Sequence, residues 1–343
     1  MSRDYSKIQV SDPFGAANDR GLPSVARALD PAAVKTAFRR GLPRLAGEAG
    51  QIVVKSIRVI RHKPGKRCVI EYDVRVEEEG VRRAKAILIG KLRARRFGTE
   101  AYRLLDALWA AGFHRDSVDG VSVPEPIGVL PELQLWLQRK VPGDVASAPL
   151  AGQGGIALAG RIAEAIHKLH RAGVPTDHQH TMADELRILH QCLPIAAQLK
   201  PTLASRIGSL LDACDRLGAR VPAPATCPIH RDFYPAQVIV EDGRLWLIDF
   251  DLYCQGDPAL DVGNFLGHMI EESLRTFDDA NALSAQVDAM EERFFSLSGK
   301  AIRGAVRAYT TLTLARHIYL STQFHDRASF TERLLELCEE RLR

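Results

Sequence analysis

No stretch of the 343-residue sequence approaches 18 uninterrupted apolar residues, which argues against a membrane-spanning helix. The start, MSRDYSKIQV, holds no apolar run of the signal-peptide kind. Cysteine is sparse and scattered: Cys68, Cys192, Cys214, Cys227, Cys254 and Cys338 form no CxxC pair. That spacing suits reduced thiols in a cytosolic protein better than a zinc site or a disulfide framework. A surplus of one charge is missing too. The 46 Lys and Arg face 42 Asp and Glu, and a net +4 is low for a dedicated nucleic-acid binder. Internal repeats and low-complexity tracts are absent. What is there is ordinary for a folded chain: 46% apolar and 26% charged residues. At about 150 residues per domain, the length predicts two domains.

Residues 1–22 are polar and patternless, and read as a weakly held arm. Asp30-Pro31 has the form of a helix start, Asp as N-cap and Pro in the first turn, with the helix running to about Gly41. From Gln51 to Leu92 three Val- and Ile-rich segments are separated by KPGK and EEGVRR, which predicts an antiparallel meander. A helix is expected over TEAYRLLDALWAAGF, followed by the strand-like PIGVL and LQLWLQR. Past VPGD the chain turns helical, except for two short strands expected around Asp242-Gly243 in residues 227–253. The expected division is an arm and helix in residues 1–50, a sheet-rich N-lobe in 51–138 and a larger helical C-lobe in 139–343, with a cleft between the lobes. This is an α+β chain.

The chemistry concentrates between Ile229 and Leu266. His230 and Asp232 fall on a loop, Gln237 follows five residues after Asp232, and a hairpin leads to Asp249, which ends the apolar run LWLID. Phosphoryl transfer asks for this pair of acids. One orients an attacking hydroxyl and accepts its proton; the other holds Mg²⁺ against the β- and γ-phosphates.

These residues resemble the aminoglycoside phosphotransferase and choline kinase family, which shares the bilobal protein-kinase-like fold. The family's H-x-D-x-x-x-x-N loop corresponds to His230-Arg231-Asp232-Phe233-Tyr234-Pro235-Ala236-Gln237. Its I-D-F/W segment corresponds to Ile248-Asp249-Phe250-Asp251, and its G-D-P-x-x-D segment to Gly256-Asp257-Pro258-Ala259-Leu260-Asp261. The resemblance spans roughly residues 50–340 and implies a small antiparallel-sheet N-lobe, a mostly helical C-lobe and ATP-dependent transfer to a small-molecule hydroxyl. It implies Asp232 as catalytic base, and Asp249 and Gln237 as Mg²⁺ ligands. Gln stands where the family usually has Asn; it carries the same amide oxygen on a side chain one methylene longer.

The same resemblance implies a phosphate-binding role for Lys91, at the end of AILIGKL, with Glu100 as its partner. Outside it, Lys91 reads as a solvated strand-end lysine and Glu100 as a first-turn acid favoured by the helix dipole. Lys63-Pro64-Gly65-Lys66-Arg67 stands where kinases carry a Gly-rich loop, but it has one glycine, so Lys66 or Arg67 would supply charge in place of backbone amides. An ordinary exposed turn is the competing reading. The segment around Gln138 resembles the hinge whose backbone holds adenine. His167 and His170 read as surface or packing residues, and His178 and His180 as a loop pair with little claim to zinc. His230 and Asp261 are expected to brace the loop, and Asp257 to cap the helix that starts at Pro258. Arg231 and Asp251 are open to either a structural or a ligand role. The alternative to a kinase is a non-catalytic nucleotide-binding regulator of the same fold, favoured by Gln237 and the glycine-poor turn.

The near-neutral total conceals a split. Residues 51–100 carry 14 Lys and Arg against 6 Asp and Glu, whereas residues 241–280 carry 2 against 10. A basic first lobe suits a triphosphate, and an acidic second lobe suits Mg²⁺ and a cationic acceptor. No nucleic-acid or membrane partner is expected.

Overall fold

Asp30 opens the first long helix of the computed structural model. Its side chain accepts a 2.7 Å hydrogen bond from the Ala33 N–H, and Pro31 takes the first turn, where no amide is needed. The structure describes residues 8–46, 51–77, 84–94 and 98–343. These divide into two compact units, one ending at Pro142 and the other beginning at Gly143.

In the first unit the elements run β1 (Gln9–Ser11), α1 (Ser24–Leu29), α2 (Pro31–Gly41), α3 (Pro43–Ala46), β2 (Gln51–Lys63), β3 (Arg67–Glu77), β4 (Ala84–Arg93), α4 (Thr99–Leu108), β5 (Val121–Ser122), β6 (Pro126–Leu130) and β7 (Leu135–Arg139). Six strands form one sheet in the order β1-β2-β3-β4-β7-β6. The meander β2-β3-β4 is antiparallel as its turns predict, and β1 lies parallel to β2 at the edge. The EEGVRR turn itself lies outside the described residues. Burial alternates along β3, so Cys68, Ile70, Tyr72 and Val74 face one core with Val25, Val34 and Phe38 of the helices. Tyr72 satisfies its buried hydroxyl by donating to the Ala28 carbonyl at 2.9 Å. The helix expected over residues 99–113 stops at Leu108; a wide turn follows, and Gly112 enters the left-handed region at φ 95°.

The expectation of a loose arm over residues 1–22 is corrected for its described part. Ala16 and Leu22 are buried, β1 pairs with β2, and Asp19 accepts from both the Gly65 N–H and His62 Nε2 at 2.8 Å. Those two contacts hold the Asp19 carboxyl below its ordinary range. Composition could not signal this, because backbone pairing, one carboxylate and a few scattered apolar residues do the anchoring rather than an apolar stripe.

The second unit contains β8 (Asp144–Val145), α5 (Ser147–Ala151), α6 (Gly155–His170), α7 (Met182–Leu199), α8 (Ala204–Ala219), β9 (Cys227–Ile229), β10 (Val238–Glu241), β11 (Arg244–Leu247), β12 (Cys254–Gly256), α9 (Pro258–Phe277), α10 (Ser284–Ser298), α11 (Arg303–Gln323) and α12 (Thr331–Leu342). Helix α11 packs on α9, α7 and α12, while α6 packs on α10. The approach of α9 to α11 depends on Gly263. A Cβ there would lie 2.5 Å from the Tyr309 Cβ, 2.8 Å from the Thr310 nitrogen and 2.9 Å from the Val306 oxygen. Two of these neighbours are backbone, which cannot turn aside. Gly263→Ala should therefore destabilise the chain by about 2 kcal/mol in thermal melting, despite the better helix propensity of alanine. Among the described residues no helix is long and apolar enough to cross a membrane.

Candidate active site

Asp242 and Gly243 both adopt positive φ, 45° and 80°, the backbone of the tight turn that their sequence favours. This turn closes β10 onto β11, with Val238 opposite Leu247. The Ile248 N–H extends the ladder by one bond, donating to the Gln237 carbonyl at 3.0 Å. Gln237 therefore stands opposite Ile248 and one residue from Asp249, at the open end of the hairpin. Asp249 adopts φ 63° and Arg231 φ 69°. Neither is glycine, so the structure around each must hold a backbone that costs on the order of 1 kcal/mol.

His230 ties the two acidic segments together. It is fully buried, its Nε2–H donates to the Ile248 carbonyl at 2.9 Å, and its ring lies against Phe233 and Phe250 at 5.6 and 4.9 Å. The loop bearing Asp232 is thereby pinned to the residue before Asp249. Both Asp232 and Asp249 are half-buried.

Asp261 on α9 holds the same loop from the other side. Its carboxylate accepts from the His230 N–H at 2.8 Å, the Arg231 N–H at 2.6 Å and His170 Nε2 at 2.9 Å, with no exposure to solvent. Asp257 caps α9 through the Ala259 N–H at 2.9 Å. One turn after Asp261, Asn264 donates to the Phe233 carbonyl at 2.9 Å, next to Asp232. Its own oxygen accepts from Arg316 at 2.8 Å and Thr313 at 3.3 Å. Arg316 lies 3.8 Å from Glu185, which takes a 2.6 Å bond from His180. This buried chain from His180 to the Phe233 carbonyl carries no sequence signal as a whole, since its members are far apart along the chain. His170 offers a weak one: it is a polar residue on the same helical face as Ile162, Ile166 and Leu169, and all four are buried. His180 is committed to Glu185, and among the described residues no group of three or more His, Cys, Asp or Glu gathers as a metal cluster.

The remaining predicted residues lie in the first unit. Lys91, half-buried in β4, pairs in register with Trp136 of β7, and its Nζ lies 5.1 Å from the centre of that indole ring. Nothing in the sequence singles out Trp136. Glu100 is exposed in the first turn of α4. Gln138 is buried in β7; just beyond it, the N–H groups of Arg139 and Lys140 donate to the Glu125 and Ile87 carbonyls. Lys66 is exposed and Arg67 half-buried at the start of β3. The Gly65 amide between these residues and Pro64 is already taken by Asp19. Charge, not that amide, is what the turn has to offer.

Solved structures resemble this chain throughout its length. A choline/ethanolamine kinase family protein from Mesorhizobium loti is 16% identical over 94% of this chain and 95% of its own, with a TM-score of 0.55. An amicoumacin kinase in complex with AMP-PNP and Ca²⁺ is 17% identical over 93% and 95%, with a TM-score of 0.57. A spectinomycin phosphotransferase bound to ADP and spectinomycin is 9% identical over 91% and 99%, with a TM-score of 0.55. These likenesses establish the kinase-like fold, an antiparallel-rich sheet region followed by a mostly helical region. The family model of the APH phosphotransferase enzymes matches residues 85–294, more than half of the sequence. The chain belongs to the phosphotransferase enzyme family.

Proposed function

We propose that the chain is an ATP- and Mg²⁺-dependent phosphotransferase that moves the γ-phosphate onto a hydroxyl of a small molecule. The reading rests on one observation: a single buried framework of His230, Asp261 and Asn264 fixes the loop of Asp232 against the hairpin end that bears Gln237 and Asp249. The family match and the nucleotides bound by the solved relatives support it.

A carboxylate and an amide oxygen one residue out of register are a hard-oxygen donor pair, which suits Mg²⁺. Mg²⁺ in kinase sites keeps several waters and takes its other ligands from phosphate, so two protein oxygens suffice and no larger cluster is required. Asp249 and Gln237 would hold the ion, which when bound neutralises charge on the β- and γ-phosphates. Asp232 orients the acceptor hydroxyl and accepts its proton as the hydroxyl oxygen bonds to phosphorus. The bond from phosphorus to the β-γ bridging oxygen breaks, and ADP leaves. Lys91 binds the triphosphate. Little covalent work falls to the protein, because positioning and charge supply most of the rate.

The test is ADP formation with ATP and a panel of amino alcohols, sugars, aminoglycosides and nucleosides. Chelation of divalent metal should abolish turnover, and added Mg²⁺ should restore it. Turnover that survives chelation would contradict the assignment of Asp249 and Gln237. A nucleotide-dependent rise in melting temperature with no transfer to any acceptor would favour the binding-only alternative.

A further inference from the structure

Tyr234 lies two residues past Asp232, and its ring stacks on His268 of α9 at 4.6 Å and 20°. His268 meets His317 of α11 edge-on at 4.5 Å. Around this ring stack stand three guanidiniums, Arg275, Arg316 and Arg327, each 22 to 31% exposed. Among the described residues two carboxylates face them, Glu271 and Glu185, and one Arg316 nitrogen also donates to Asn264 at 2.8 Å. Glu271 lies 3.4 Å from Arg275, 3.9 Å from Arg327 and 3.9 Å from His317 Nδ1, contacts too long to satisfy five N–H donors per arginine. The other acid nearby, Glu185, is already engaged by His180. His317 is 2% exposed, and its Nε2 is buried with no hydrogen-bond partner.

The electrostatics agree with this count. Burial, and then His317, Arg316 and Arg327, hold the His268 proton affinity well below the ordinary range. Burial and the same two arginines, with Arg275, push His317 down to about 3. Both imidazoles are therefore neutral at pH 7, and the positive charge of the cluster is arginine charge. Six of the ten acids in residues 241–280 make contacts of their own elsewhere in the structure. Glu241 accepts from Trp246, Asp257 caps α9, Asp261 holds the loop, Glu272 accepts from Ser147, Asp278 pairs with Arg333 and Asp279 caps Asn281. The arginine charge beside His268 and His317 favours an anionic group over the cationic acceptor expected from local composition.

We infer that the acceptor carries an anionic group, a carboxylate or a phosphate ester, beside its reacting hydroxyl, and that Arg275, Arg316 and Arg327 hold that group next to Tyr234. The inference rests on the phosphotransferase reading above and names the substrate class of the same site. Guanidinium forks match both anions, so the geometry selects the shared chemistry.

The test runs the full chain with ATP and Mg²⁺ on glycerate, glycerol 3-phosphate, glucose 6-phosphate, glycerol, glucose, choline and kanamycin. Transfer should favour the anionic compounds, glycerate reporting on carboxylates and the two esters on phosphates. Arg327→Gln and Arg275→Gln should each raise the acceptor KM about tenfold or more, the loss of a charge-assisted hydrogen bond, while Arg293→Gln on α10 should not. In parallel, the protein with ring-labelled histidine is saturated with AMP-PNP and titrated with the same compounds. Glycerate or a phosphate ester should move the His268 and His317 signals, whereas choline and glycerol should not. Preferred transfer to neutral or cationic acceptors overturns the inference, as do histidine signals that no anion moves. Failure of ADP formation with every acceptor, while those signals still respond to anions, would instead remove the phosphotransferase reading and leave an anion site.

Discussion

Asp261→Asn should cost the chain about 3 kcal/mol and lower its melting temperature by roughly 5–10 °C. In the wild type three donors converge on one carboxylate: two backbone amides and the ring of His170. An amide replaces one acceptor oxygen with an NH₂ group, so one buried donor must face another donor in a place that water does not reach. A change of His170 tautomer does not repair this, because the His230 and Arg231 N–H groups point at one oxygen each and neither backbone amide can become an acceptor. Turnover should fall by about a hundredfold, the effect expected when a reacting group is displaced by about 1 Å. Thermal melting and steady-state rates on the same preparation check both parts. An unchanged rate with a lowered melting temperature would show that Asp261 supports the fold without setting the position of Asp232.

Much of this arrangement is legible in short stretches of sequence. Asp30-Pro31, the Val- and Ile-rich meander and the Asp242-Gly243 turn each express a local rule, and each forms where the rule places it. The acidic framework is legible for a similar reason. Asp232, Gln237 and Asp249 lie within eighteen residues, and one hairpin sets their spacing. What sequence alone does not reveal depends on distant segments. His170, Asn264, Thr313, Arg316 and the His180–Glu185 pair meet only once α6, α7, α9 and α11 are packed. Local charge sums do not show which acids are engaged: in residues 241–280 Asp257 caps a helix, Asp261 holds two backbone amides and Asp278 pairs with Arg333. The segment before Leu22 has no periodicity and few apolar residues, and only tertiary contacts, the pairing of β1 with β2, the burial of Ala16 and the bonds of Asp19, reveal that it is anchored.

Asp232 is proposed to take the proton of the acceptor hydroxyl, and the whole mechanism turns on that step. Asp232→Asn keeps the shape of the side chain and one acceptor oxygen, but an amide cannot take up a proton at neutral pH. General-base contributions of about 10²- to 10⁴-fold are usual, so kcat should fall by about a thousandfold, roughly 4 kcal/mol of transition-state stabilisation. Nucleotide binding does not draw on that proton, and the dissociation constant for ATP should stay within about twofold of wild type. The decisive measurement is therefore kcat and the ATP dissociation constant of Asp232→Asn, side by side with wild type on an acceptor that wild type turns over. A thousandfold loss of kcat with ATP binding intact is the predicted result, on the order of magnitude given above. Full turnover by Asp232→Asn would contradict the account.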